Sequence, residues 1–163
     1  MTTWLGLVGP GVRNNGTTGS VWSDHTDVRP TILSLTGLHD DYASQGRVLF
    51  EVLNQDALPV SLRQHRGTLQ DLAEVYKQLN AAVGQFGMTT LMASTRAIEG
   101  DDNTYSTVEI QLQALGSQRD IVAGQMSAML NAAASGQAIH ENQAKDLITQ
   151  GQALLQQATA LAS

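Results

Sequence analysis

Asp24, His25 and Asp27 lie within one four-residue stretch, and two more carboxylates, Asp40 and Asp41, follow a second histidine. Imidazole and carboxylate groups are suitable ligands for a divalent metal ion. However, a catalytic metal usually has three protein ligands, and the same residue types are typical of a capped helix start beside a solvated polar loop. From spacing alone, the capped helix is the favoured interpretation, and the metal site is the alternative.

Two other catalytic patterns are disfavoured by the spacing of their residues. Ser23, His25 and Asp27 are too close in sequence to align as nucleophile, base and orienting group, which normally come from separate segments. The Gly9–Gly11 turn lacks the lysine of a P-loop and the glycine spacing of a dinucleotide-binding loop. We therefore expect no catalytic residue in this part of the chain.

The elements that would position these residues are short. The apolar run at 4–8 is typical of a buried strand, and it ends in a glycine-rich turn at Gly9. Asp27 is a plausible N-cap for a short apolar helix that Gly37 ends, and 46–53 forms another short strand or helix. This order of strand, loop and helix is typical of one edge of an α/β sheet.

The rest of the chain shows three amphipathic helical patterns, over 61–99, 104–134 and 139–161. Two glycines near the middle of the first pattern predict a kink or a break there. Short turns separate the patterns, so consecutive helices are expected to be antiparallel neighbours. The sequence therefore predicts a three-helix bundle or a long helical hairpin.

The composition excludes several classes of function. Of the 163 residues, 42% are hydrophobic, only 15% are charged, and the net charge is −6, which disfavours binding to nucleic acid. Without cysteine the chain has neither disulfides nor thiolate metal sites. No apolar run approaches the roughly 18 residues of a membrane span, and no signal peptide is recognised. The cellular location stays open.

Three pieces of the first fifty residues resemble a known family. They are the Val8–Val12 strand and turn, the Asp27–Leu38 helix and the Gly46–Leu49 segment, in that order. Together they resemble the carboxyl-terminal end of the catalytic domain of the alkaline phosphatase superfamily. That superfamily includes sulfatases, phosphodiesterases and cofactor-independent phosphoglycerate mutases. The match covers about a third of the chain.

The resemblance implies a metal-dependent chemistry that this chain does not itself carry. In that superfamily two metal ions, often zinc, activate a Thr or Ser nucleophile. The nucleophile and the metal ligands precede the strand, so they are expected before Met1, and no catalytic residue, metal ligand or cofactor is assigned to this chain. Asp24, His25 and Asp27 are expected at most to lie near the site, where they would contact the metal ligands rather than the metal.

These observations predict a mostly α-helical protein with two regions. Residues 1–58 are interpreted as the final strand and helix of an alkaline-phosphatase-like α/β domain, and 59–163 as a helical extension. The predicted function is that of a C-terminal fragment of a phosphoric- or sulfuric-ester hydrolase, inactive alone. The alternative is a non-enzymatic helical interaction module, or a subunit that complements a separately encoded catalytic half. The expected partner is that half or a second copy bound through the helices.

Overall fold

The computed structural model describes residues 3–163, of which most are helical, with 65% of the residues in helices and no strand in this part of the chain. Met1 and Thr2 of the predicted 1–58 region lie outside the described residues. Short 3₁₀ turns at 25–27, 50–52 and 55–57 connect the helical elements of the first region. The helices are α1 (Val28–Thr36), α2 (Val60–Gln64), α3 (Arg66–Asn80), α4 (Gln85–Ala97), α5 (Asp102–Ala134) and α6 (Glu141–Leu161).

The structure does not support the predicted α/β region. The run 4–8 is not a strand, and it is not buried, since Trp4 is 86% exposed and Val8 fully exposed. The segment 46–53 contains a 3₁₀ turn, and an isolated antiparallel bridge joins Leu53 to Val12. A strand exists only where another backbone pairs with it, and residues 3–163 supply no second backbone beside the run.

The predicted helix after Asp27 is present as α1, but its cap lies three residues earlier. Asp24 caps the 3₁₀ turn that leads into α1, accepting a hydrogen bond from Thr26 N at 2.8 Å. In return, the Asp27 carboxylate accepts a hydrogen bond from Asp24 N at 3.0 Å, which completes a capping box. Gly37 ends α1 in the left-handed conformation, as the sequence predicts.

The helical region is a bundle of four long helices rather than three. The predicted 61–99 helix is divided into α2, α3 and α4, with the main break between Asn80 and Gln85. Gly84 lies so close to the end of α3 that a Cβ would come within 2.7 Å of the Lys77 carbonyl oxygen. The resulting α4 lets α6 pack against α3, α4 and α5 at once.

One hydrophobic core joins both regions of the chain. Leu69 and Leu72 of α3 and Met126 of α5 are completely buried at its centre. Phe50 and Leu53, from the first region, belong to the same cluster and are at most 1% exposed. Residues 44–58 therefore pack onto the bundle instead of forming a separate core.

Two glycines inside helices are expected to respond oppositely to alanine. At Gly151 of α6 a Cβ would lie 2.5 Å from Val75 Cγ1 and 2.8 Å from Met126 Cε, whereas Gly124 of α5 has nothing within 4 Å. We expect Gly151→Ala to lower the unfolding free energy by about 1–3 kcal/mol, and Gly124→Ala to raise it by about 0.5–1 kcal/mol. Urea denaturation checks both, and equal signs would contradict this packing of α6.

Candidate functional site

A buried lysine of α3 connects the helical bundle to the first region. Lys77 is 3% exposed, and its Nζ lies 2.9 Å from Asp24 Oδ2 and 2.9 Å from Asp27 Oδ1. The ammonium also donates to Thr26 Oγ1 at 3.0 Å, so all three of its protons have an acceptor. The Trp22 ring centroid lies 5.7 Å from Nζ, within the range of a cation–π contact.

The two aspartates in this cluster are fully engaged with protein groups. Asp27 is completely buried, and its Oδ1 accepts from Arg47 N at 2.8 Å in addition to Lys77. Its Oδ2 is bonded to Asp24 N, and Asp24 Oδ1 accepts from Thr26. Each of the four carboxylate oxygens therefore has a donor in the protein, and both carboxylates hold Lys77 in place.

The three residues singled out from the sequence do not converge. Asp24 and Asp27 meet at Lys77, whereas His25, between them in sequence, is exposed. The second cluster, after His39, is a surface loop in which Asp40 pairs with Arg29. Within residues 3–163 there is no group of three or more His, Cys, Asp or Glu side chains that could hold a metal ion.

Opposing effects act on the pKa of Asp24. Partial burial raises the pKa, but hydrogen bonds from Thr26 and Lys77, together with the charge of Lys77, lower it below the ordinary value of 3.8. A lowered pKa in the folded state means that the ionised carboxylate stabilises the fold above pH 3.8. This contribution is lost as the pH falls through the folded-state pKa.

Asp24→Asn therefore tests this contribution through its pH dependence. At pH 7 we expect the variant to be less stable than the parent by about 1 kcal/mol, since the carboxylate is partly solvated. The difference should narrow as the pH is lowered below 3.8, where the parent carboxylate also becomes neutral. Urea denaturation between pH 2 and 7 measures it, with exposed Asp120→Asn as the control. A difference that is independent of pH would contradict the assignment.

A second buried ion pair lies beside the first. The Arg47 side chain is 1% exposed, and its Nη2 and Nη1 lie 2.6 Å and 2.9 Å from the two carboxylate oxygens of Glu51. Nη2 also donates to the Trp22 carbonyl oxygen at 3.0 Å. A bidentate pair of this kind fixes both position and orientation. We refer to Asp24, Asp27, Arg47, Glu51 and Lys77 together as the polar junction.

Further side chains of the bundle bind the backbone of the first region. Tyr76 of α3 donates its hydroxyl proton to the Gln45 carbonyl oxygen at 3.0 Å. Asn131 of α5 binds both backbone groups of Ser44, each at 3.2 Å. Because a backbone carbonyl or amide is present whatever the residue type, the sequences around 44–50 contain no sign of these contacts.

Sequence reasoning missed Lys77, Arg47 and Glu51. Lys77 follows buried Ala73 by four residues and stands next to the apolar stripe of α3, which was the available signal of a buried cation. Arg47 and Glu51 have the spacing of a helical ion pair, but Glu51 lies within the 3₁₀ turn at 50–52 and Arg47 lies before it.

The fold and the polar junction define a mostly helical protein in which a four-helix bundle binds an irregular N-terminal region through a shared core and through the buried ion pairs of Lys77 with Asp24 and Asp27. Among residues 3–163, no helix is both long and apolar enough to cross a membrane, as the sequence predicts. Comparisons with protein-family models, with curated proteins and with solved structures found no match to this chain.

Proposed function

We propose that the chain is the non-catalytic C-terminal part of a metal-dependent phosphoric- or sulfuric-ester hydrolase related to the alkaline phosphatase superfamily. In this proposal residues 4–8 pair with a catalytic sheet supplied by another polypeptide segment. That segment also supplies the nucleophile and the metal ligands, and the bound metal ions supply Lewis-acid activation of the ester. In this proposal the bundle fixes the position of the first region, which would be the last part of the catalytic domain.

The observation that carries the proposal is the exposed apolar run. Leu5 is 45% exposed, in addition to the exposed Trp4 and Val8. None of the backbone groups of 4–8 is hydrogen-bonded to another backbone group of residues 3–163. An apolar segment with free backbone donors and acceptors can add as a strand to the edge of a sheet, which would satisfy its backbone and bury its side chains.

The base of this run is firmly held, which favours its role as an added strand. Arg13 N donates to the Val52 carbonyl oxygen and Asn54 N to the Gly11 carbonyl oxygen, each at 2.8 Å. A strand that starts from a fixed point loses less conformational freedom when it pairs than a free tail does. The polar junction similarly fixes the start of α1 before any such pairing takes place.

The proposal assigns Asp24 and Asp27 a positioning role rather than a catalytic one. Their carboxylates bind Lys77 and backbone amides, so they hold the start of α1 beside the bundle. The 22–27 loop leads into α1 and is fixed by these contacts. His25 is exposed on that loop and is free of this structural task.

The purified chain is expected to show no turnover of chromogenic phosphate or sulfate esters with zinc or manganese supplied, because the proposal assigns the nucleophile and the metal ligands to another segment. A colorimetric assay with a mock purification as control measures this. Turnover that is abolished by a chelator and absent from the mock preparation would overturn the proposal.

A stronger test joins the chain to the segment that the proposal requires. The coding region directly upstream of the Met1 codon is expected to encode a Thr or Ser nucleophile with Asp and His metal ligands. Expressed with that segment, the chain should form an active esterase, and Leu5→Lys should lower its activity by about tenfold or more. Leu38→Lys, at a leucine that is 60% exposed, is the matched control and should leave activity unchanged. An upstream region without such residues would sink the proposal.

The alternative is a non-enzymatic helical interaction module. It is favoured by exposed apolar side chains on α4 and α5, including Leu91 and Ile98, which the proposed hydrolase role does not use. The two functions require different surfaces of the chain. Substitutions in 4–8 would leave such a module unaffected, whereas they would disable a strand that completes a sheet.

A further inference from the structure

The N-terminal part of α5 extends beyond the end of α6. The backbone of Gly151 lies against Met126, and α6 runs antiparallel to α5 and ends ten residues later at Leu161. At the same rise per residue, that end lies near Gly116 of α5. The preceding turns of α5, from Asp102, have α4 beside them but pass beyond the last turn of α6.

Contacts of α4 confirm this arrangement. The Arg119 guanidinium lies 5.2 Å from the Phe86 ring centroid, which places the start of α4 beside the middle of α5. In its last turn, Arg96 donates to the carbonyl oxygens of Ala162 and Ser163, the latter at 2.9 Å. The Arg96 side chain therefore reaches back to the end of α6, and the second half of α4 and the first turns of α5 extend past that end as a two-helix hairpin.

A two-helix hairpin cannot bury all of its apolar side chains, and here it leaves a groove of about 400 Å³. Leu91 and Ile98 are 61% and 69% exposed and lie three and four residues from Ser94, so they extend the same side of α4. We refer to this surface as the α4–α5 groove. It is lined by Ser94, Ala97, Tyr105, Val108, Leu112 and the adjacent polar side chains.

The rim of the α4–α5 groove is acidic. Glu99, Asp101, Asp102 and Glu109 are all exposed, and Glu109 lines the groove. Between Ala97 and Gln118 there is no Lys or Arg. The same surface of a second copy would bring two acidic rims together, and an anionic lipid surface would be repelled as well. The charge therefore selects a cationic partner.

We propose that the α4–α5 groove binds an amphipathic helix of a partner protein, with apolar side chains on one face and flanking Lys or Arg residues. The apolar face enters the groove as a third helix of the hairpin, in the helix-in-groove mode. The flanking cations pair with the acidic rim and fix the orientation of the bound helix. This interaction is independent of the proposed hydrolase role, because no residue that lines the groove belongs to the polar junction or to the run 4–8.

The probe is a labelled peptide of about 14 residues that contains only Leu and Lys in a helical amphipathic pattern, added to the full chain. Fluorescence anisotropy is expected to give a Kd of about 10 μM at low salt. A matched Leu/Glu peptide should bind at least about tenfold more weakly, because its charges face the acidic rim. Amide chemical shifts should change at Leu91, Ser94 and Val108.

Two isoleucines with nearly equal exposure provide the matched variants. Ile98→Ser should weaken the binding of the Leu/Lys peptide by about tenfold. Ile110 is 67% exposed but is two residues away from both Val108 and Leu112 and so lies on the other side of α5. Ile110→Ser should change the Kd by less than about twofold. Circular dichroism confirms that both variants are folded.

Three results would overturn the proposal. The first is binding of the Leu/Glu peptide as tight as that of the Leu/Lys peptide. The second is equal weakening by Ile98→Ser and Ile110→Ser, which would indicate non-specific attraction to an acidic protein. The third is a dimer in sedimentation equilibrium that Ile98→Ser dissociates, since the occupant of the groove would then be a second copy.

Discussion

Lys77→Met is expected to lower the free energy of unfolding by about 3–5 kcal/mol. Methionine has nearly the length of the lysine stem, so the packing of α3 is retained while the charge is removed. Two carboxylates then lose their shared cation, and one of them, Asp27, is completely buried. An unpaired buried charge is far more costly than a missing contact. Urea denaturation at pH 7 measures the change.

A surface lysine provides the control for this prediction. Lys145 pairs with Glu141 at 2.7 Å, but its side chain is 60% exposed, so Lys145→Met should cost less than about 0.5 kcal/mol. Adding Asp24→Asn and Asp27→Asn to the Lys77 variant should recover part of the loss, because neutral amides tolerate the absence of the cation. Equal effects at the two lysines would show that the polar junction does not stabilise the fold.

Glu51→Gln is expected to cost about 3 kcal/mol by the same mechanism at the second ion pair. The amide keeps the shape of the carboxylate, so the loss reports on charge. The Arg47 side chain is 1% exposed and remains cationic, and its Nε already has no hydrogen-bond partner in the described structure. The remaining acceptors, the amide oxygen of the introduced glutamine and the Trp22 carbonyl oxygen, are neutral and do not compensate a buried guanidinium. Thermal and urea denaturation measure the change.

The exposed pair between Arg29 and Asp40 is the matched control for this prediction. The Arg29 side chain is 50% exposed and stacks over the Tyr42 ring, so Asp40→Asn should cost less than about 1 kcal/mol. A loss at Glu51 as small as that at Asp40 would contradict the burial of Arg47. A large loss of stability at both positions would show that the surface loop of Asp40 contributes more to the stability of the fold than expected.

Both predictions concern the polar junction, which links the bundle to the first region through Lys77 and orders the first region internally through Arg47 and Glu51. Lys77 holds the start of α1, and Arg47 holds the Trp22 backbone. If the run 4–8 completes a sheet in a hydrolase, weakening either pair should also reduce the activity of the assembled enzyme. A variant that destabilises the polar junction but leaves the activity of the assembled enzyme unchanged would show that the junction stabilises the fold without contributing to the proposed function.

The helices were predictable from the sequence because their signals are local. The 104–134 and 139–161 patterns correspond to α5 (Asp102–Ala134) and α6 (Glu141–Leu161) within two residues at each end. Apolar spacings of three and four and a cap residue such as Asp101, which binds Thr104 N at 2.8 Å, act within one or two turns. Even the break in the first pattern is indicated locally, by the two glycines near its middle.

The conformation of the run 4–8 and the polar junction were not predictable in the same way. An apolar run indicates a preference for a strand, but the pairing backbone is a distant segment, and residues 3–163 provide none. For Lys77, the sequence shows a cation beside an apolar stripe, without showing that its acceptors lie about fifty residues earlier. Such contacts depend on which surfaces meet after the helices have formed.

By itself, the sequence determined that this protein is mostly helical, where α1, α5 and α6 lie, and that no helix among residues 3–163 is long and apolar enough to cross a membrane. It also supplied the resemblance to the alkaline phosphatase superfamily on which the proposed hydrolase role rests. Only the tertiary structure decided that Asp24 and Asp27 bind Lys77, that His25 stands apart from them, and that the apolar run is exposed. The physical reason is range: helix periodicity and capping act within a few residues, whereas a buried charge is defined by partners that folding brings together.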